Sequence, residues 1–149
     1  MHLYATYLAI LRIHFDERNA ELMQLFHHIM SWIFLVWSPQ PCQVLQAFAA
    51  ALLSDDEQSD VIEILPYLGS LLSGTMPGDN APITPLHTSL RDFLLDANES
   101  HAFSIDLGSH AQEEIAWACL RIMNTGLEFN MCNLPTSFAL NSQIEDLSQ

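Results

Sequence analysis

The sequence predicts a mainly α fold: a winged-helix-like helical domain with a small β-hairpin wing, followed by the start of a helical domain. Three observations carry this. Stretches before residue 70 repeat apolar residues at i, i+3, i+4 and i+7. A Gly/Pro/Asn/Asp-rich stretch then separates two short apolar runs, which is the pattern of a hairpin. A further helical pattern follows it. At 149 residues the chain fits one compact unit with a substantial core. Residues 1–96 are expected to form the winged-helix-like domain and 97–134 an extended segment with a helix packed on it. Residues 135–149 are expected to form a polar, loose tail.

Each element has its own signal. LYATYLAILRIH (3–14) places Leu3, Tyr7, Ile10 and Leu11 at helical spacing. Asp16 is placed to cap the next helix. That helix carries Leu22, Leu25, Phe26, Ile29, Met30 and Ile33 as one stripe, with His27 and His28 beside it. SPQP (38–41) stops it, because Pro39 and Pro41 lack donors and push Ser38 and Gln40 out of the helical region. Val44, Leu45, Phe48, Ala49 and Leu52 make a third helix. SDDEQSD (54–60) is a polar connection rich in capping residues. A fourth helix has Val61, Ile64, Leu65 and Leu68, disturbed at Pro66. SLLSGTMPGDNAPITPLH (70–87) reads as strand, turn, strand. Leu90, Phe93 and Leu94 sit on one face of a short helix, and HAFSID (101–106) alternates as an extended segment does. Ser109 and Gln112 have capping-box spacing for a last helix in which Ile115, Ala116, Cys119, Leu120 and Met123 share a face. Gly126 stands where a left-handed closing residue is expected.

Charge narrows the function. Four arginines (Arg12, Arg18, Arg91, Arg121) face 18 acidic residues, no lysine is present, and the formal net charge is −14. Phosphate neutralisation needs clustered Lys/Arg, so nucleic acid and anionic membrane surfaces are not expected partners. The helix that would read DNA in a winged-helix protein, DVIEILPYL (60–68), carries Asp60 and Glu63 and no basic residue. The strongest apolar run, IMSWIFLVW (29–37), falls well short of the ~20 residues a bilayer span needs. No basic n-region precedes an apolar run at the start. Cys42, Cys119 and Cys132 form no CxxC pair and read as small core residues. That usage suits a reducing, cytoplasmic setting.

Enzyme motifs are missing. GxxxxGK[ST], GxSxG and HExxH do not occur. His27 and His28 are adjacent, so on a helix they point about 100° apart and suit one metal ion poorly. The carboxylates at 55–57 and 113–114 lie at helix starts, where they complement the dipole. The expectation is that the chain is no enzyme, with neither catalytic nor metal-ligating residues.

Several stretches resemble the region just downstream of the NTPase module in fungal NACHT-type STAND proteins, relatives of the animal nucleotide-binding, leucine-rich-repeat receptors. They are LYATYLAIL (3–11), DVIEILPYLGSLLSG (60–74), ITPLHTSLRDFLLD (83–96), HAFSID (101–106), AWACLRIMNTGLEFNMCNL (116–134) and SFALNSQ (137–143). The match runs over about residues 3–143. His-x-Ser-φ-x-Asp-Phe-Leu comes first, and Leu-Arg-φ-Met-Asn-x-Gly-Leu-x-Phe-Asn-φ-Cys follows in order. The resemblance implies a winged-helix lid that folds over the nucleotide site of the upstream ATPase. It places His87 as the contact to the β-phosphate of ADP, a cofactor expected only together with the NTPase domain. Read from the residues alone, His87 is a capped or core histidine at the start of the 88–96 helix, with Thr88 or Ser89 as the cap. On that reading Phe93 and Leu94 are core, and Arg91 and Asp92 are solvated or locally paired.

The departures are specific. The family's P-loop, its acidic Mg²⁺-binding motif, its nucleotide-sensing arginine and its downstream repeats have no counterpart in these residues. FLVWSPQP (34–41) stands where the family tends to carry a Pro-Leu-Ser helix entry, keeping only Pro39. The expected function is a non-catalytic regulatory lid whose partner is the NTPase domain of the same or a related protein. Oligomerisation is expected only in that full-length context, and the sequence reads as a truncated or drifting copy. The alternative is a stand-alone helical protein-interaction module that has lost its ATPase.

Overall fold

The computed structural model describes residues 2–36, 38–54, 61, 63–76, 78 and 80–129. The 55–57 carboxylates, Asp60, Cys132 and the 135–149 tail therefore lie outside the described residues. The order is α1 (His2–His14), α2 (Ala20–Leu35), α3 (Cys42–Leu52), a 3₁₀ turn (Leu65–Leu68), β1 (Leu72–Ser73), β2 (Thr84–Pro85), α4 (Ser89–Leu95), α5 (Ala97–Ser100), a second 3₁₀ turn (His101–Phe103) and α6 (Ser109–Gly126). The fold is mainly α, with a small hairpin wing set among helices.

α2 is the centre. From Met23 to Ile33 it buries Met23, Leu25, Phe26, Ile29, Met30, Ser31, Trp32 and Ile33, more than one face can hold, so neighbours pack around it. Its start is fixed by Asn19, whose Oδ1 accepts the Leu22 N–H at 3.1 Å. Asp16, the expected cap, lies too early. Its carboxylate accepts the Arg18 N–H at 3.0 Å and shapes the turn before the helix. Aromatic pairs bind the surrounding elements. Phe15 meets Phe26 edge-on at 5.1 Å, and Phe26 meets Phe103 at 5.4 Å. Trp32 meets Phe48 of α3 at 6.0 Å. Tyr4 and Tyr7 of α1 contact Phe93 of α4 at 5.4 and 5.5 Å.

The wing is short. Leu72 pairs with Pro85 and Ser73 with Thr84, antiparallel, because Pro85 and Pro82 bring no N–H to extend the ladder. Support comes from outside the hairpin. The Ile83 N–H donates to Gln40 O at 2.8 Å, Pro41 bridges Pro82, and the Leu86 N–H donates to Leu71 O at 2.9 Å. Gly74 turns the chain with φ 71°, and a Cβ there would lie 2.6 Å from Pro82 O. Pro66 ends the regular helix and leaves a 3₁₀ turn, with Leu65 and Leu68 buried.

Three local expectations are corrected. HAFSID is not extended throughout: His101–Phe103 form a 3₁₀ turn, and His101 takes φ 53°. The alternation is real only where Phe103 and Ile105 are buried, and the Ile105 N–H donates to Leu94 O at 2.9 Å. Ser109 and Gln112 form no capping box. Ser109 is already helical, Gly108 occupies the cap position, and Gln112 Nε2 donates to Leu107 O at 3.1 Å. Gly126 is the last helical residue rather than a left-handed one, and Leu127 closes the helix.

The buried stripe of α6 also differs from the expected face. Ala111 and Ala118 are buried, with Ile115 and Ile122 half-buried between and beyond them. Ala116, Cys119, Leu120 and Met123 are exposed. The segment 116–123 is apolar on two sides, and only the side bearing small residues fits against α2 and α3. Cys42 is core as expected, whereas Cys119 is a free, exposed thiol.

Substitution at the two strained positions should act in opposite directions. Gly74→Ala is expected to lower stability by more than about 1 kcal/mol, since both its φ and the Pro82 carbonyl resist a Cβ. His101→Gly should raise it by up to about 1 kcal/mol by relieving a positive φ. Urea unfolding of the two variants beside the parent chain measures both.

Candidate functional site

His87 lies two residues past β2, immediately before α4, and is exposed. Its Nδ1 accepts the Ser89 backbone N–H at 3.1 Å and sits 2.7 Å from Ser89 Oγ. Ser89 Oγ is in turn 2.9 Å from the Tyr7 hydroxyl. Thr88, an expected cap, makes no side-chain capping bond. The histidine ring itself satisfies the first free donor of α4, and Ser89 ties that end to α1.

This geometry assigns the tautomer. A nitrogen that accepts from a backbone N–H must hold a lone pair, so the neutral ring carries its proton on Nε2. Tyr7 O–H donating to Ser89 Oγ, and Ser89 O–H donating to Nδ1, completes a consistent direction of donors. The ring then presents Nε2–H to an external acceptor. Phe93 and Leu94 below it are fully buried, as expected, and Arg91 and Asp92 are exposed. His87 is thus exposed and not core, and its own ring, rather than the expected Thr88 or Ser89 side chain, accepts the first N–H of α4.

A second cluster joins α2 to α6. His28 Nδ1 lies 3.2 Å from Glu114 Oε2, and His110 Nδ1 lies 3.7 Å from Glu114 Oε1. His27 Nε2 donates to Ala102 O at 2.8 Å. Glu113 and Glu114 lie past the first turn of α6, which holds no acidic residue, so the expected dipole role is not met and Glu114 instead bridges helices. Among the described residues no group of three or more His, Cys, Asp or Glu is arranged to hold a metal ion. His27 and His28 point to different partners, as their adjacency implied.

The third feature is α6's outer side. Two clefts of about 710 and 700 Å³ flank the contact of α6 with α3, one bordered by Trp117, Leu120 and Ala51, the other by Cys119, Met123 and Val44. Arg121 Nη1 donates to Ala51 O at 2.5 Å, so this cation caps the C-terminal end of α3. Burial in the core pushes the Cys42 thiol above its ordinary range. No helix among the described residues is long and apolar enough to cross a membrane.

No protein-family model, no curated protein and no solved structure matches this chain.

Sequence reasoning singled out His87 but not its partners. A serine two residues on is a common local motif, while the Tyr7 contact spans the whole wing and is visible only in three dimensions. The outer face of α6 did have a signal, since Ala116, Leu120, Met123 and Leu127 recur at i, i+4, i+7 and i+11.

Two outcomes follow for stability and reactivity. Ser89→Ala should cost about 1 kcal/mol, and adding Tyr7→Phe should cost almost nothing more, because one network is lost once. Additive losses in a double-mutant cycle would show the contacts to be independent. In a Cys132→Ser background, an aromatic disulfide reagent should titrate Cys119 rapidly and Cys42 only on unfolding.

Proposed function

We propose that this chain is a non-catalytic regulatory lid of a nucleotide-switched STAND signalling ATPase, packing on an NTPase domain and reading the phosphates of bound ADP through His87. One observation carries the reading. An exposed histidine at the end of the wing has its Nδ1 occupied by Ser89, which leaves Nε2–H for an acceptor outside the chain.

The physics of such a contact is simple. A hydrogen bond to a charged acceptor contributes about 1.5–3 kcal/mol, a factor of roughly 10–100 in affinity. If it exists only with the lid closed, nucleotide and lid stabilise each other by that amount, and its loss frees the lid to swing. Ser89 and Tyr7 hold the ring, so little orientational freedom is lost when phosphate arrives. Binding and hydrolysis belong to the NTPase domain, while this chain contributes position and one donor.

The second reading, a stand-alone helical interaction module, is favoured by the exposed apolar side of α6. The coding sequence upstream of Met1 separates the two: an in-frame GxxxxGK[ST] supports the lid, and its absence supports the module.

In the assembled protein, His87→Ala should speed ADP release by roughly 10–100-fold and raise basal signalling. Release of a fluorescent ADP analogue after mixing with excess unlabelled nucleotide measures this. An unchanged rate, with the variant folded, removes His87 from the sensor role.

A further inference from the structure

Among the described residues, α6 turns one stripe to the core and leaves a second exposed. Ala111, Ile115, Ala118 and Ile122 face inward. On the other side Ala116, Leu120, Met123 and Leu127 follow the i, i+4, i+7, i+11 spacing of a helix–helix seam. Leu120, Met123 and Leu127 are 52%, 45% and 63% exposed, and Trp117 beside them is 61% exposed. Soluble chains rarely leave so many large apolar residues contiguous without a partner.

The shape specifies a helix. The seam runs straight for about 16 Å along α6, three turns of an α-helix. A cleft of about 700 Å³ lies along each flank, and Ala47, Ala50 and Ala51 of α3 form a low wall on the Trp117 side.

Charge specifies which helix. Glu113 stands at one end of the seam and Glu128 at the other, both exposed. The nearby cation, Arg121, is tied to the Ala51 carbonyl. A second copy of the chain carries the same formal net charge of −14 and would meet long-range repulsion. We propose that the outer face of α6 binds an amphipathic helix that carries Lys or Arg beside its apolar stripe. This surface shares no residue with the His87–Ser89–Tyr7 cluster, and the inference does not depend on the nucleotide reading.

The test uses the full chain and two synthetic three-heptad helices of equal length, one Leu/Lys and one Leu/Glu, in fluorescence anisotropy at physiological salt. The Leu/Lys helix should bind at least about tenfold more tightly than the Leu/Glu helix. Leu120→Ser with Met123→Ser should weaken it by about tenfold or more. Those residues are exposed, so unchanged circular dichroism and unfolding midpoint identify a binding effect rather than misfolding. Glu113→Gln with Glu128→Gln should weaken the Leu/Lys helix and not the Leu/Glu one. Equal binding of both helices, or undiminished binding by the serine variant, overturns the proposal. So does a concentration-dependent dimer in sedimentation that the serine variant dissolves, because the seam would then belong to a second copy.

Discussion

α2 is apolar around most of its circumference, and that constraint organises the molecule. A helix that buries Leu25, Phe26, Ile29, Met30, Trp32 and Ile33 together leaves water only the narrow side that carries Glu21 and Gln24. Its neighbours must surround it, and the aromatic contacts from Phe15, Phe48 and Phe103 show three of them doing so. The polar atoms on α2 are placed accordingly. His27 reaches a backbone carbonyl and His28 reaches a carboxylate, so neither imidazole is buried without a partner. When neighbours wrap most of one helix, the outermost layer has little left to pack against. α6 is that layer, and its leftover apolar side follows from geometry as much as from sequence.

His87 inherits its position from the same packing by a different route. Tyr7 sits on α1 with its ring against Phe93, and its hydroxyl emerges at the start of α4. Ser89 transmits that position to the imidazole. A long, solvent-exposed side chain is thereby held by a buried ring through two hydrogen bonds. Capping of α4 and presentation of Nε2–H are one act, since the nitrogen that satisfies the helix is the one that fixes the proton on the other. A capping role and a ligand-reading role for His87 are therefore compatible, although the sequence sets them up as rivals.

Helix existence was legible because periodicity reports burial directly. α1, α2, α3 and the helix at 89–95 all lie where apolar spacing puts them, and Phe93 and Leu94 are core. Ends were less legible. Asp16, Asn19, Gly108 and Ser109 are all plausible caps by residue type, and only the path of the incoming chain selects Asn19 and Gly108. α6 misled for another reason. Periodicity finds an apolar face but cannot say which of two faces meets the core, and Ala118 wins over Leu120 because close approach to α3 admits small residues. The candidate site was half legible: a histidine beside a wing can be read from residues, but its tie to Tyr7 joins positions 82 apart in sequence.

The wing shows how little local sequence decides where a loop points. Two residues per strand cannot hold a hairpin in water, and Pro82 and Pro85 keep the ladder from lengthening. Its orientation is set by the 40–41 segment, through the Ile83 N–H to Gln40 O bond and the Pro41–Pro82 bridge, with Gln43 Nε2 donating to Asn80 Oδ1 at 2.8 Å. That anchor belongs to the short segment in which Pro39 and Pro41 flank Gln40. Gln40 supplies a carbonyl, which any residue would, while Pro39 and Pro41 fix the backbone that aims it. A change of side chains there is tolerable as long as the extended backbone survives. The two prolines hold that backbone extended, and the wing, with His87 just beyond it, takes its orientation from there.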